Sequence, residues 1–237
     1  PLLAEHATVV APDLPGHGFT TAPDPRGLSL PGMAANIDAL LHALQLKPEI
    51  VVGHSAGAAI LAWMCLDGAI SPRLLVSLAG ALLPLRGTRG KWFSPAAKLM
   101  ARSSLVPRFV ASGAKRDPKG VQRLAAGTGS NLSPAALELY RRLVSSPGHL
   151  AAALNMMANW ELEPLKSALP RLRTPTLLVG FSNDKTIPPE DAEDAHVMIP
   201  QSELRLIGGL GHLAHEEDPQ VIAELILHTA ELDRDQD

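Results

Sequence analysis

The 237-residue sequence predicts an α/β fold: a mostly parallel sheet with helices on both faces and a helical insert. Three observations carry that expectation. Strand-like apolar runs alternate with segments of helical period on either side of residues 83–160, and inside that stretch the strand pattern vanishes. A serine between glycines, in Gly53-His54-Ser55-Ala56-Gly57, stands where an apolar strand gives way to a helix. Finally, 46% hydrophobic against 19% charged residues supplies one large core and excludes a disordered chain.

Taken in order, ATVVAPD (7–13) reads as a buried strand ending in a Pro- and Gly-rich turn. Met33, Ile37, Leu40, Leu41 and Leu44 then recur at helical spacing behind Ser29 and Pro31, a cap and a preset first turn. EIVVG (49–53) is a second strand, Ala56 to Leu66 a helix closed by Gly68, and RLLVSLAG (73–80) a third strand. Prolines and short amphipathic helices fill the insert. PTLLVG (175–180) resumes the alternation, and PEDAEDAHVMI, ELRLIGG and PQVIAELILHTAEL complete helix, strand, helix. The tail DRDQD is expected to fray. The implied division is a first core part (1–82), the helical insert (83–160) and a second core part (161–237).

The uncharged stretch from Ile50 to Leu66 is broken by His54, Ser55 and two glycines and runs into Asp67. It therefore reads as a buried strand and helix, not a transmembrane segment. A lone cysteine, Cys65, rules out an internal disulfide framework and fits a reducing compartment, so the expected location is cytoplasmic. Charge is uneven: residues 86–142 hold 12 basic and two acidic residues, although the whole chain is −3. That surplus suits either a solvated helical face or an anionic partner, namely a carboxylated substrate, an acidic protein or a lipid surface.

The strand–turn–helix around Ser55 is the pattern of a nucleophile elbow, in which a strained backbone projects the serine hydroxyl and the flanking glycines avoid Cβ clashes. The Ala56 backbone N–H at the helix start is the expected oxyanion donor. A serine hydroxyl needs a base, and the base an orienting carboxylate. Asp184 follows one buried strand and His212, in a Gly-rich loop, follows the next, both where strand ends converge. Asp191 and Asp194, in a polar helix expected at the surface, are the alternative acids, and His215 is the rival histidine. HLAHEE (212–217) is weighed as a zinc site, but it matches neither H-E-x-x-H nor H-x-x-E-H, so no metal is expected. GTGS (127–130) lacks the lysine of a P-loop and reads as a loop between helices.

These residues resemble the α/β-hydrolase superfamily across the whole chain. DLPGHG (13–18) is similar to the family's turn after its fourth strand, and Ser55, Asp184 and His212 fall on its triad positions. Residues 83–160 look like its helical cap. The wording GALLPLRG, GTGSNLSPAALELYRRL and PGHLAAALNMMANWELEPL resembles, more narrowly, the magnesium-chelatase accessory proteins of bacteriochlorophyll biosynthesis. The resemblance implies a protein of phototrophic bacteria acting at or near magnesium insertion into protoporphyrin IX. The implied partners are a small-molecule substrate and either a magnesium chelatase subunit or a tetrapyrrole, with no nucleic acid and no cofactor. It places the second oxyanion donor, and the strands around it, upstream of Pro1. Under the cap, His54, Trp92, Phe93, Met100, Met156, Met157 and Trp160 are the pocket candidates.

Overall fold

The computed structural model describes residues 1–22, 24–84, 103 and 105–234. At its centre lies a four-stranded parallel sheet in the order β1 (Ile50–His54), β2 (Leu74–Leu78), β3 (Thr176–Phe181), β4 (Ser202–Ile207). Gly53 pairs with Ser77, Ser77 with Leu178, and Val179 with Arg205. The two central strands are buried along their whole length, which is why they read as continuous apolar runs rather than alternating ones.

Successive strand residues point to opposite faces, so the sheet feeds two apolar clusters. Leu75 and Leu178 pack with Met33 and Ile37 of α1 (Leu30–Ala43) and with Ile60 and Met64 of α2 (Ala56–Asp67). On the other face, Val76, Leu177 and Val179 meet Ile222 and Ile226 of the C-terminal helix, Pro219–Arg234. Local signals set the ends of these helices. Ser29 Oγ accepts from Gly32 N at 3.2 Å to start α1, and Gly68, at φ 80°, stops α2 in the left-handed conformation that glycine adopts without cost.

Between β2 and β3 the chain forms α3 (Leu105–Arg116), α4 (Pro118–Gly127), α5 (Pro134–Val144), α6 (Pro147–Ala158) and α7 (Glu163–Ala168). Ser133 and Ser146 each precede a proline and cap α5 and α6 by accepting from Ala136 N and His149 N. After β3 come α8 (Pro189–Met198), the short α9 (Ala214–Glu217) and α10 (Pro219–Arg234).

Three expectations need correction. Residues 7–13 form no strand, and Val9 and Val10 are half exposed. Strand-forming residues alone do not make a strand: residues 7–13 join no ladder, and β1 pairs only with β2 among the described residues. Asp191 is buried rather than on the surface, in the first turn of α8, where the helix N-terminus favours a carboxylate; Asp194 is exposed. The tail is helical as far as Arg234, and 235–237 lie outside the described residues.

Candidate active site

Ser55 occupies the single residue between β1 and α2, with φ 52° and ψ −117°. A positive φ on a residue with a Cβ costs on the order of 1–3 kcal/mol and persists only where surroundings enforce it. Here they do: Ser55 N donates to Leu78 O at 3.0 Å, and Ser55 O accepts from Ala58 N and Ala81 N at 3.2 and 3.0 Å. A serine at a helix start ordinarily turns its hydroxyl back to cap the helix. Ser55 makes no such cap bond, so the hydroxyl remains available. Ala56 is the first residue of α2, where a backbone N–H has no intrahelical acceptor.

The two flanking glycines differ. A Cβ at Gly53 would lie 2.5 Å from the Ala58 backbone, so the close strand–helix approach requires glycine there. A Cβ at Gly57 would meet nothing within 4 Å, which corrects the expectation that both glycines prevent a clash.

Asp184 and His212 sit in the loops after β3 and β4 and are brought into direct contact. The His212 Nδ1–H donates to Asp184 Oδ2 at 2.7 Å, with the carboxylate fully buried. Asp184 Oδ1 accepts from Thr186 N at 2.7 Å and Ile187 N at 2.9 Å, so the carboxylate is fixed before the histidine meets it. With Nδ1 carrying the proton, His212 Nε2 is left as an acceptor. No described residue hydrogen-bonds to that nitrogen or to the Ser55 hydroxyl, and the Ser55–His212 bond is not formed in this state. Catalytic hydrogen bonds commonly tighten only when substrate is bound.

His54 links the elbow to the histidine loop. Its Nε2–H donates to the His212 carbonyl at 2.8 Å, and its ring lies 4.6 Å from that of His212 and 4.5 Å from that of His215. Burial, then the neighbouring His215 and His212, push its pKa down to about 3, so His54 stays neutral. His215 is also lowered, chiefly by burial, and its Nδ1 is buried without a hydrogen bond; Asp184 bonds to His212 and not to this rival.

Met156 and Trp160 are half-buried and pack against the apolar cluster under α1 and α2, and Met157 is half-buried on α6. Trp92, Phe93 and Met100 lie outside the described residues. A cavity of about 320 Å³ is lined by Arg26, Trp63, Asn159 and Glu161 among others, but by none of Ser55, Asp184 or His212, and so says nothing of the chemistry. Among the described residues no group of three or more His, Cys, Asp or Glu side chains is placed to hold a metal ion, and no helix is long and apolar enough to cross a membrane. Sequence reasoning missed Thr128, Ser130 and Glu217, which reach the histidine loop; no local signal marks the first two, whose contacts span more than 80 residues, and Glu217 lies six residues from the Gly211 N–H that it accepts from.

Residues 1–225 match the alpha/beta hydrolase family. The chain is 36% identical over 231 residues to the magnesium-chelatase 30 kDa subunit of Rhodobacter capsulatus, covering 96% of this chain and 78% of that one. It is 28% identical to the pyrrolizixenacetamide deacetylase of Xenorhabdus hominickii, over 93% of this chain and 79% of that one. A thermophilic esterase from Thermogutta terrifontis shares the fold with a TM-score of 0.75 at 24% identity, over 98% of this chain and 82% of that one. The chain belongs to the alpha/beta hydrolase family.

Proposed function

We propose that the protein is a serine hydrolase that cleaves an ester, thioester or amide through Ser55, His212 and Asp184. The observation that carries the reading is a strained serine with an uncommitted hydroxyl on the same sheet edge as a buried Asp184–His212 pair. Ser55 Oγ attacks the carbonyl carbon while His212 Nε2 takes its proton, and Asp184 holds the imidazolium that results. The Ala56 N–H donates to the developing oxyanion at the start of α2. His212 then returns the proton to the leaving group, and water, activated by the same nitrogen, cleaves the acyl-enzyme. In this reading residues 83–160 form a cap over the pocket, with His54, Met156, Met157 and Trp160 on the substrate side.

The likeness to a protein named as a magnesium-chelatase subunit supports a role at or near magnesium insertion into a tetrapyrrole. A second reading, an accessory protein that binds a tetrapyrrole carboxylate or a chelatase subunit, draws on the exposed cations of the cap. Arg108, Arg116 and Lys119 have no ion-pair partner among the described residues. The test pairs two measurements: hydrolysis of short neutral p-nitrophenyl esters, and binding of a dicarboxylic porphyrin or a chelatase subunit. The hydrolase reading expects turnover that Ser55→Ala and His212→Ala abolish; porphyrin or subunit binding without any turnover would replace it with the accessory one.

A further inference from the structure

We propose that the loop residues 128–131 between α4 and α5, anchored through Ser130 and Glu217, position His212, so that the cap insert is a working part of the site and not only a roof. What His212 does rests on the hydrolase reading; where it is held does not.

The histidine loop, Gly208-Gly209-Leu210-Gly211, has almost no side chains with which to fix itself. Three successive backbone N–H groups around the histidine are instead taken by three acceptors from elsewhere. Gly211 N donates to Glu217 Oε1 at 2.8 Å, His212 N to the Thr128 carbonyl at 3.4 Å, and Leu213 N to Ser130 Oγ at 2.8 Å. Two of these acceptors belong to the 128–131 loop. The third, Glu217, binds the loop as well, because its Oε2 accepts from Asn131 N at 2.9 Å. The Thr128 carbonyl also accepts from Lys185 N at 3.1 Å, so one oxygen joins the residue after Asp184 to His212 itself. Tyr140 of α5 adds a further tie by donating to Glu216 Oε1 at 2.6 Å.

The backbones are too close for side chains to intervene. Gly129, at φ 88°, could carry a Cβ only 1.7 Å from the Asn183 carbonyl oxygen, and a Cβ on Gly211 would lie 2.4 Å from the Gly129 carbonyl carbon. Ser130 is 5% exposed, and its buried hydroxyl takes Leu213 N as its partner. With Asp184 on Nδ1, His54 on the carbonyl and Thr128 on the N–H, the histidine is held at each of its polar atoms except Nε2. Proton transfer tolerates little error in where that nitrogen sits, since a 1 Å misplacement costs roughly 100-fold.

The experiment uses the full chain with Ser130→Ala, Ser130→Thr and Glu217→Gln. Ser130→Ala strands the Leu213 N–H, Ser130→Thr keeps the hydroxyl, and Glu217→Gln turns one acceptor into a donor that faces an N–H. Three readings are taken well below each melting temperature: kcat and KM for a p-nitrophenyl ester, the melting temperature itself, and the low-field proton resonance of the His212 Nδ1–H, assigned by its loss in His212→Ala. Ser130→Ala and Glu217→Gln should lower kcat by about 10- to 100-fold with KM little changed, and shift or broaden the resonance. Ser130→Thr should restore both. If Ser130→Ala does not fold, Glu217→Gln gives the same readings. Wild-type kcat and an unmoved resonance in the folded variants would overturn the proposal. A wild type that turns over no ester yet shows the resonance, altered in the variants, would overturn the hydrolase reading and leave the positioning intact.

Discussion

Ser55 and His212 both sit at the ends of parallel strands, yet their loops are held in different ways. The Ser55 turn is fixed within β1, α2 and the end of β2: Gly53 lets strand and helix approach, and Ala58, Leu78 and Ala81 bond to the serine backbone. The histidine loop has near ties to Glu217 and Asp184, but it also draws on parts much farther off in the chain, through a His54 bond spanning 158 residues and a Ser130 bond spanning 83. The lesson is that the geometry of Ser55 belongs to the β1–α2–β2 unit, whereas that of His212 draws on the whole fold, insert included. Damage at the first should act on folding; damage at the second should leave a folded protein with a misplaced His212 imidazole.

The largest contrast is expected from Asp184→Asn. The fold should persist while kcat for ester hydrolysis falls by about 10⁴-fold, because the imidazole loses its tautomer and orientation. Steady-state kinetics beside a circular-dichroism melt decide it, and turnover within a few fold of wild type would move the acid elsewhere. Next come the two elbow glycines. Gly53→Ala should destabilise by about 3 kcal/mol, since the clash is with backbone and no side chain can swing clear. Gly57→Ala, facing open space in the first turn of a helix, should change stability by less than about 1 kcal/mol. Urea titrations that found equal losses would show that the elbow is not held as described.

A smaller effect concerns acid. The His54 pKa is about 3 in the folded state against an ordinary 6.5, so the unfolded chain gains a proton that the folded one refuses as pH falls through 6.5. Stability from this group is therefore complete above that value and declines toward pH 3, by at most ~1.4 kcal/mol per pH unit. The downward shift of His215 acts in the same sense. In His54→Gln, which keeps a donor for the His212 carbonyl, the decline should be shallower. Parallel slopes of unfolding free energy against pH in the two proteins would contradict a neutral buried His54.

What the sequence made legible follows the same divide. The strand–turn–helix at Ser55 could be read because it is written in adjacent residues: Val51, Val52, Gly53, then Ser55 and a run of small helix formers. The Asp184–His212 pairing was accessible because each residue follows a buried strand, and parallel strands deliver their C-terminal loops to one edge. The ties from Thr128 and Ser130, and that between Glu217 and Asn131, were not legible, because they depend on where the insert lands. Residues 7–13 show the same limit from the other side: strand composition that joins no ladder gives an exposed segment. The basic surplus of 86–142 is in part local pairing, Arg123 with Asp117 and Arg141 and Arg142 with Glu138. Exposed pairs of this kind are screened by solvent and contribute little to stability.

The central claim is that Ser55 is a nucleophile activated by His212. The most direct measurement is treatment of the protein with a fluorophosphonate, followed by intact mass and peptide mapping. A free serine hydroxyl reacts negligibly, so labelling reports activation and not exposure. The account predicts a single adduct on Ser55, abolished by His212→Ala and greatly slowed by Asp184→Asn. An unlabelled protein, or an adduct that persists in Ser55→Ala, would contradict it.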